Sequence, residues 1–270
     1  MNDLTVVVPL GISSPGTPVI QFLEASIESL QKQQTNYKYE IIFACDDNVS
    51  AEVKNLLTST GCTISWYEPY SFFRKGSIWR KITNEWNKVD SKYVSFCHYD
   101  DLWATDRVET QLTFMNSEQL DLTWTGVMVI DENNKILGNP PCPDFLSRTT
   151  IMQGPAYAFS HSSIVSKHSF FNCGIMEHLD NNAPQYEYLF WLYSHKLKGK
   201  KNSNYDFRFI MREHSSSMTQ WYNKITNTNQ LPENNEISEL REIGEYSFEQ
   251  IKKDYNSVDV SSIIKSIYGE

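Results

Sequence analysis

Two short apolar runs, LTVVVPL (4–10) and YEIIFAC (39–45), with one amphipathic stretch between them, constrain this chain more than any other feature. Both are β-branched or aromatic and lack a polar alternation, as expected of strands buried on both faces. The stretch between them, TPVIQFLEASIESLQKQQ, has Thr17 as a cap, Pro18 at the first helical position, and Val19, Leu23, Ile27 and Leu30 at helical spacing. This is a βαβ unit. The alternation continues with SAEVKNLLTS as helix, CTISWYE as strand, SIWRKITNEWNK as helix and KYVSFC as strand. Ile78, Ile82, Trp86 and Val89 form the apolar stripe of the last helix. Such a pattern predicts a mostly parallel sheet covered by helices on both faces. Ligands of these sheets bind beyond the carboxyl ends of the strands. Asp46 and Asp47 follow one strand directly, and Asp100 and Asp101 follow another.

After residue 104 the regularity loosens. TDRVETQLTFMNS reads as a helix capped by Thr105, and DLTWTGVMVIDENNKILG as two strands joined at the polar DENNK turn. Residues 139–183 are rich in Pro, Ser, Asn and Gly and are expected to form loops and short elements. PQYEYLFWLYSHKL then reads as a helix, YDFRFIMREH as a strand, and EISELREIGEYSFEQIKK as an amphipathic helix in a polar tail.

The 270 residues carry a formal charge of −9, which argues against a general nucleic-acid or anionic-membrane surface because both partners are polyanions. A phosphate-bearing ligand therefore needs a locally positive site or a bridging cation. The five cysteines are scattered, odd in number and free of CxxC spacing, which fits a reducing compartment and gives no zinc pattern. The start of the chain has no basic leader, and no stretch reaches the roughly 18 apolar residues of a membrane span. A cytoplasmic location is the expectation.

The segment SFCHYDDLW (95–103) is the most informative for chemistry. Aspartates after a strand commonly cap a helix or close a turn. Two neighbouring carboxylates at a ligand-facing strand end also repel one another unless a cation shares them, and a hard divalent cation takes such oxygen ligands.

The order of segments resembles the family 2 glycosyltransferases of the GT-A fold. TVVVPL, IIFACDD, KGSIWRKITNEW, HYDDLW and YEYLFWLYS match in turn that family's first strand, its strand ending in two aspartates, its basic helix start, its Asp-x-Asp segment and its acidic late helix. The likeness runs over residues 4 to 218. It implies an α/β fold with a Rossmann-like, mostly parallel central sheet, helices on both faces and a C-terminal helical tail. It also implies a domain over 1–220, with a nucleotide-binding half (1–104) and an acceptor-binding half (105–220), and a helical extension over 221–270. The implied activity is inverting transfer of a sugar from a nucleoside-diphosphate sugar to a glycan or lipid-linked glycan, in bacterial-type surface polysaccharide synthesis, with Mn²⁺ or Mg²⁺.

Carried over by position, the resemblance implies that Pro9 and Leu10 line the nucleotide pocket and that Asp46 or Asp47 hydrogen-bonds the base or ribose. Arg80 matches the family's basic position near the diphosphate, with a solvated helix-face charge as the other reading. Asp100 would bind the metal and Asp101 would orient donor or metal. His98 stands where the family has its first Asp, as a possible Mn²⁺ ligand or ribose contact. MREHSSSM is similar to the family's late His segment and makes His214 a further metal or diphosphate contact. Glu187 takes the place of the general base. The loop GISSPGTP departs from the family in lacking its Asn. The basic run HKLKGKK (195–201) is either a peripheral contact at the inner face of the membrane or a solvated turn. Two other readings remain: a non-catalytic GT-A-like glycan-binding or scaffolding subunit, and a nucleotidyltransferase, against which the first loop's lack of Arg and Lys counts.

Overall fold

The computed structural model describes residues 2–11, 20–68, 77–140, 142–147, 150, 157–176, 190–191, 193–202 and 207–214. Strands β1 (Asn2–Leu10), β2 (Tyr39–Asp46), β3 (Thr63–Tyr67) and β4 (Ser91–Phe96) pair in parallel, with β1 between β2 and β4. Helices α1 (Ile20–Gln31), α2 (Ala51–Ser59) and α3 (Ser77–Lys88) connect them. Seven consecutive residues of β1, Leu4 to Leu10, are buried, because the pleat sends alternate side chains into two different cores. Leu4, Val6 and Val8 pack with Leu23, Ile27 and Leu30 of α1 and Val53 and Leu57 of α2. Val7 points the other way, to Trp79, Ile82 and Trp86 of α3 and to Phe96. Ser50 caps α2 by accepting the Val53 N–H, and Trp86 Nε1 donates to the Ser95 carbonyl at 3.1 Å, so this large core side chain keeps its polar atom paired.

Helix α4 is Arg107–Glu118, and its N-cap is Asp106, with no side-chain cap bond, rather than Thr105. The Thr105 carbonyl instead accepts from Gln34 N. Three strands occupy the run expected to hold two: β6 (Leu122–Trp124), β7 (Val127–Ile130) and β8 (Ile136–Gly138). The break at Thr125–Gly126 takes the chain from the main sheet into a second one, while the DENNK turn joins β7 to β8 as expected. The loop-rich region contains helix α5 (Tyr157–Ser162), strand β9 (Ile164–Ser166) and helix α6 (Lys167–Asn172). β9 is antiparallel between β4 and β6, and its three residues are too few to show a period.

The main sheet is completed by β10 (Gly199–Lys201), giving the order β10-β6-β9-β4-β1-β2-β3. The second sheet runs β5-β11-β7-β8, with β5 at Leu102–Trp103 and β11 at Phe209–Arg212. The basic run 195–201 ends in the edge strand β10, where Lys200 pairs with Glu118 and Lys201 with Asp144. The Thr17 cap, Pro18, Glu187 and the tail from 215 lie outside the described residues. Among the described residues no helix is long and apolar enough to cross a membrane.

Candidate functional site

Strands β2 and β4 flank β1, so their carboxyl ends stand two strand spacings apart, about 10 Å. Each end carries one of the acidic pairs. At the end of β2, Asp46 is 2% exposed and forms an ion pair with Lys81 of α3, which is equally buried. Lys81 Nζ also donates to the Leu10 carbonyl at 3.0 Å. Gly11 closes this arrangement. A Cβ there would stand 2.1 Å from Asp46 Oδ2 and 2.9 Å from Lys81 Nζ, so any larger residue forces the pair apart. Pro9 and Leu10 are buried in β1, the Leu10 side chain in the core, and Asp47 is exposed at the turn that follows β2.

Arg80 lies on the exposed side of α3, and its neighbour Lys81 is the basic residue that faces the strand ends. The inward position of Lys81 has a signal in the sequence. Lys81 lies three residues after Ile78 and four before Glu85, on the same helical face, and Glu85 is buried as well.

At the end of β4 the side chains of HYDDLW divide their work. The Asp100 carboxylate meets His214 Nε2 at 2.9 Å, across 114 residues of sequence. Asp101 is 2% exposed. Its Oδ1 accepts the Arg212 N–H at 3.0 Å, and its Oδ2 faces His161 Nδ1 at 3.7 Å. Burial pushes the Asp101 carboxyl above the usual range and Asp100 adds to the rise, while His161 opposes it. His98 is half-buried, with its ring 4.9 Å from that of His161 and 5.4 Å from Phe96. Trp103 forms a platform, with the Arg107 guanidinium 3.8 Å from its ring centroid. Arg107 is fully buried and donates to Gln111 Oε1 at 2.7 Å, and burial lowers its pKa to about 9.

The structure thus brings Asp100 together with His214, and sets His98 and Asp101 beside His161, which sequence reasoning missed because SHSS (160–163) carries no motif. The pair of one carboxylate oxygen and one imidazole nitrogen fits a divalent cation that takes its other ligands from phosphate and water. Among the described residues no group of three His, Cys, Asp or Glu side chains is placed to hold a metal without such help. Beside the pair lies an apolar groove of about 610 Å³ between α1 and the second sheet, lined in part by Phe22, Leu102, Met128, Ile210 and Arg212.

No family model and no curated protein matches the sequence. Solved structures do match the fold. S. aureus TarS superposes with a TM-score of 0.58 at 13% identity, over 78% of this chain and 37% of that one. TarS 1-349 in complex with UDP-GlcNAc gives a TM-score of 0.55 at 13% identity, over 78% of this chain and 58% of that one. TarS 1-349 in complex with UDP gives 0.55 at 12% identity, over 79% of this chain and 61% of that one. The chain therefore spans less than two thirds of the proteins it resembles. The likeness is one of fold, and that fold is the GT-A type of the glycosyltransferases.

Proposed function

We propose that the protein is a glycosyltransferase that moves a sugar from a nucleoside-diphosphate sugar to a hydroxyl of a glycan or lipid-linked glycan. The observation that carries this reading is the meeting of Asp100 and His214 at the carboxyl end of β4, next to a second polar site at the end of β2. Two sites about 10 Å apart suit the two ends of a nucleoside diphosphate. The GT-A neighbours, one in complex with UDP-GlcNAc and another with UDP, support it.

In this reading Asp46 accepts a hydrogen bond from the base or ribose, and Lys81 keeps the buried carboxylate compensated while it does so. Asp100 and His214 would hold Mn²⁺ or Mg²⁺, and that ion would supply positive charge opposite the departing diphosphate, as a chain of net charge −9 needs in order to hold a polyanion. Glu187 takes the proton of the acceptor hydroxyl as that oxygen attacks the anomeric carbon, and displacement from the far face inverts the configuration. His98 contributes an imidazole where a carboxylate would add repulsion. Five free thiols fit a reducing, cytoplasmic compartment. Surface polysaccharide synthesis, with the protein peripheral to the membrane, supplies acceptors of the required kind.

Thermal unfolding with UDP, GDP and dTDP, with and without Mn²⁺, tests the donor site. One nucleotide raises Tm, and raises it further with Mn²⁺, by mass action. Asp100→Asn keeps the metal-free shift and loses the additional one. An additional shift that survives in Asp100→Asn removes Asp100 from the cation site. The absence of any shift favours the non-catalytic scaffold.

A further inference from the structure

The Asp100–His214 contact links the turn after β4 to the exit from β11, two segments far apart in the sequence that the β5–β11 pairing also brings side by side. His214 stands two residues beyond the end of β11, tethered by the Glu213 N–H to the Ile130 carbonyl at 2.8 Å. One tether fixes the backbone but leaves the direction of the imidazole open. The last residue of β11 before this exit is Arg212, 5% exposed, and its contacts reach three separate segments. Its Nε donates to the Asp100 carbonyl at 3.2 Å, on the turn after β4. Its Nη1 donates to Asn134 Oδ1 at 2.8 Å and to the Asp131 carbonyl at 3.3 Å, on the turn between β7 and β8. Its guanidinium lies 4.5 Å from the centroid of the Phe22 ring on α1. The same Phe22 ring lies 5.1 Å from the His214 ring. The backbone of Arg212 is held as well, its N–H donating to Asp101 Oδ1.

We infer that Arg212 is a positioning residue: its guanidinium locks the turn that carries Asp100, the 131–134 turn and the Phe22 ring into one arrangement, in which His214 can only face the Asp100 carboxylate. The geometry demands an arginine, because the planar fork sends donors in several fixed directions while its face stacks on an aromatic ring. A lysine supplies one point charge that cannot serve both turns at once. Asp101 is the second half of this clamp. The carboxylate adjacent to Asp100 holds β11 through Oδ1 and faces His161 through Oδ2. The meaning of the clamp for catalysis rests on the reading of Asp100 and His214 as the cation site, but its geometry does not.

The test therefore has two separate readouts on the full-length chain. The first is the side-chain ¹⁵N resonance of His214, assigned by its loss in His214→Gln, in the parent, in Arg212→Lys and in Phe22→Leu. Phe22 is only partly buried, so Phe22→Leu keeps the test decisive where Arg212→Lys fails to fold. The Nε2 resonance is expected to move toward that of an imidazole without a carboxylate partner in Arg212→Lys, and part of the way in Phe22→Leu. An unmoved resonance in the folded variants overturns the inference. The second readout is a titration with Mn²⁺ alone, followed by paramagnetic broadening of the His214 signal. The concentration for half-broadening should rise about tenfold in Arg212→Lys, the usual effect of losing an outer-shell support. An unchanged midpoint contradicts the positioning role. A parent signal that Mn²⁺ leaves sharp overturns the cation reading instead, and the nitrogen resonance still decides the clamp.

Discussion

Gly11, Asp46 and Lys81 show how closely the chemistry of this site is tied to single atoms. Lys81 and Asp46 are both 2% exposed, and taking two charges out of water costs several kcal/mol that their pairing helps to offset. Removing one partner should therefore be worse than removing both. Lys81→Met is expected to destabilise the protein by about 3–5 kcal/mol, the range for an uncompensated buried charge. The double variant Asp46→Asn/Lys81→Met should recover most of that loss. Denaturant unfolding of the two single variants and the double measures the coupling, and additive losses would show that the pair is not an energetic unit. None of this was legible from the acidic pair alone. Asp46 and Asp47 are indistinguishable in sequence, and only the strand's last inward turn buries one and exposes the other.

Elements with a strong period are legible in the sequence, and elements defined by their partners are not. Helix α3 matches its expected limits, Ser77 to Lys88, because its apolar stripe is unbroken. β5, with two residues, and β9, with three, exist only because neighbouring strands offer free hydrogen-bonding edges, which no local pattern announces. β11 illustrates the consequence for function: it was foreseen as a strand, but its parallel place beside β7 and its tie to Asp101 were not. That tie has a pH signature. The Asp101 carboxyl is raised above its ordinary value of 3.8 by burial, so on raising the pH the unfolded chain loses this proton before the folded one does. The stability from Asp101 is thus fully present below 3.8 and falls as pH rises through the folded value. Asn cannot ionise but still offers Oδ1 to Arg212 N–H. The Tm of Asp101→Asn minus that of the parent should grow more positive from strongly acid to neutral pH. A difference that stays flat would mean that the Asp101 carboxylate carries no burial penalty.

At the scale of the whole molecule, the two sheets divide the candidate site between them. The main sheet supplies the ends of β1, β2 and β4, and the second sheet brings His214 to Asp100 from the end of β11. The first half was readable because βαβ units announce themselves by alternating periods, with ligand residues at the strand ends. The second half was not, since a contact across 114 residues leaves no local pattern, and His214 was reached only through the family resemblance. Glu187 likewise follows from that resemblance alone. The most direct measurement is donor turnover: release of nucleoside diphosphate, and of transferred or free sugar, by the full-length chain from UDP-, GDP- and dTDP-sugars with Mn²⁺. Expected are turnover of at least one donor by the parent, loss of most of it in Asp100→Asn, and a fall of about 10²-fold or more in Glu187→Gln with nucleotide binding retained. A parent that releases sugar from none of these donors, or an Asp100→Asn protein that turns over at the parent's rate, would contradict the proposed transfer.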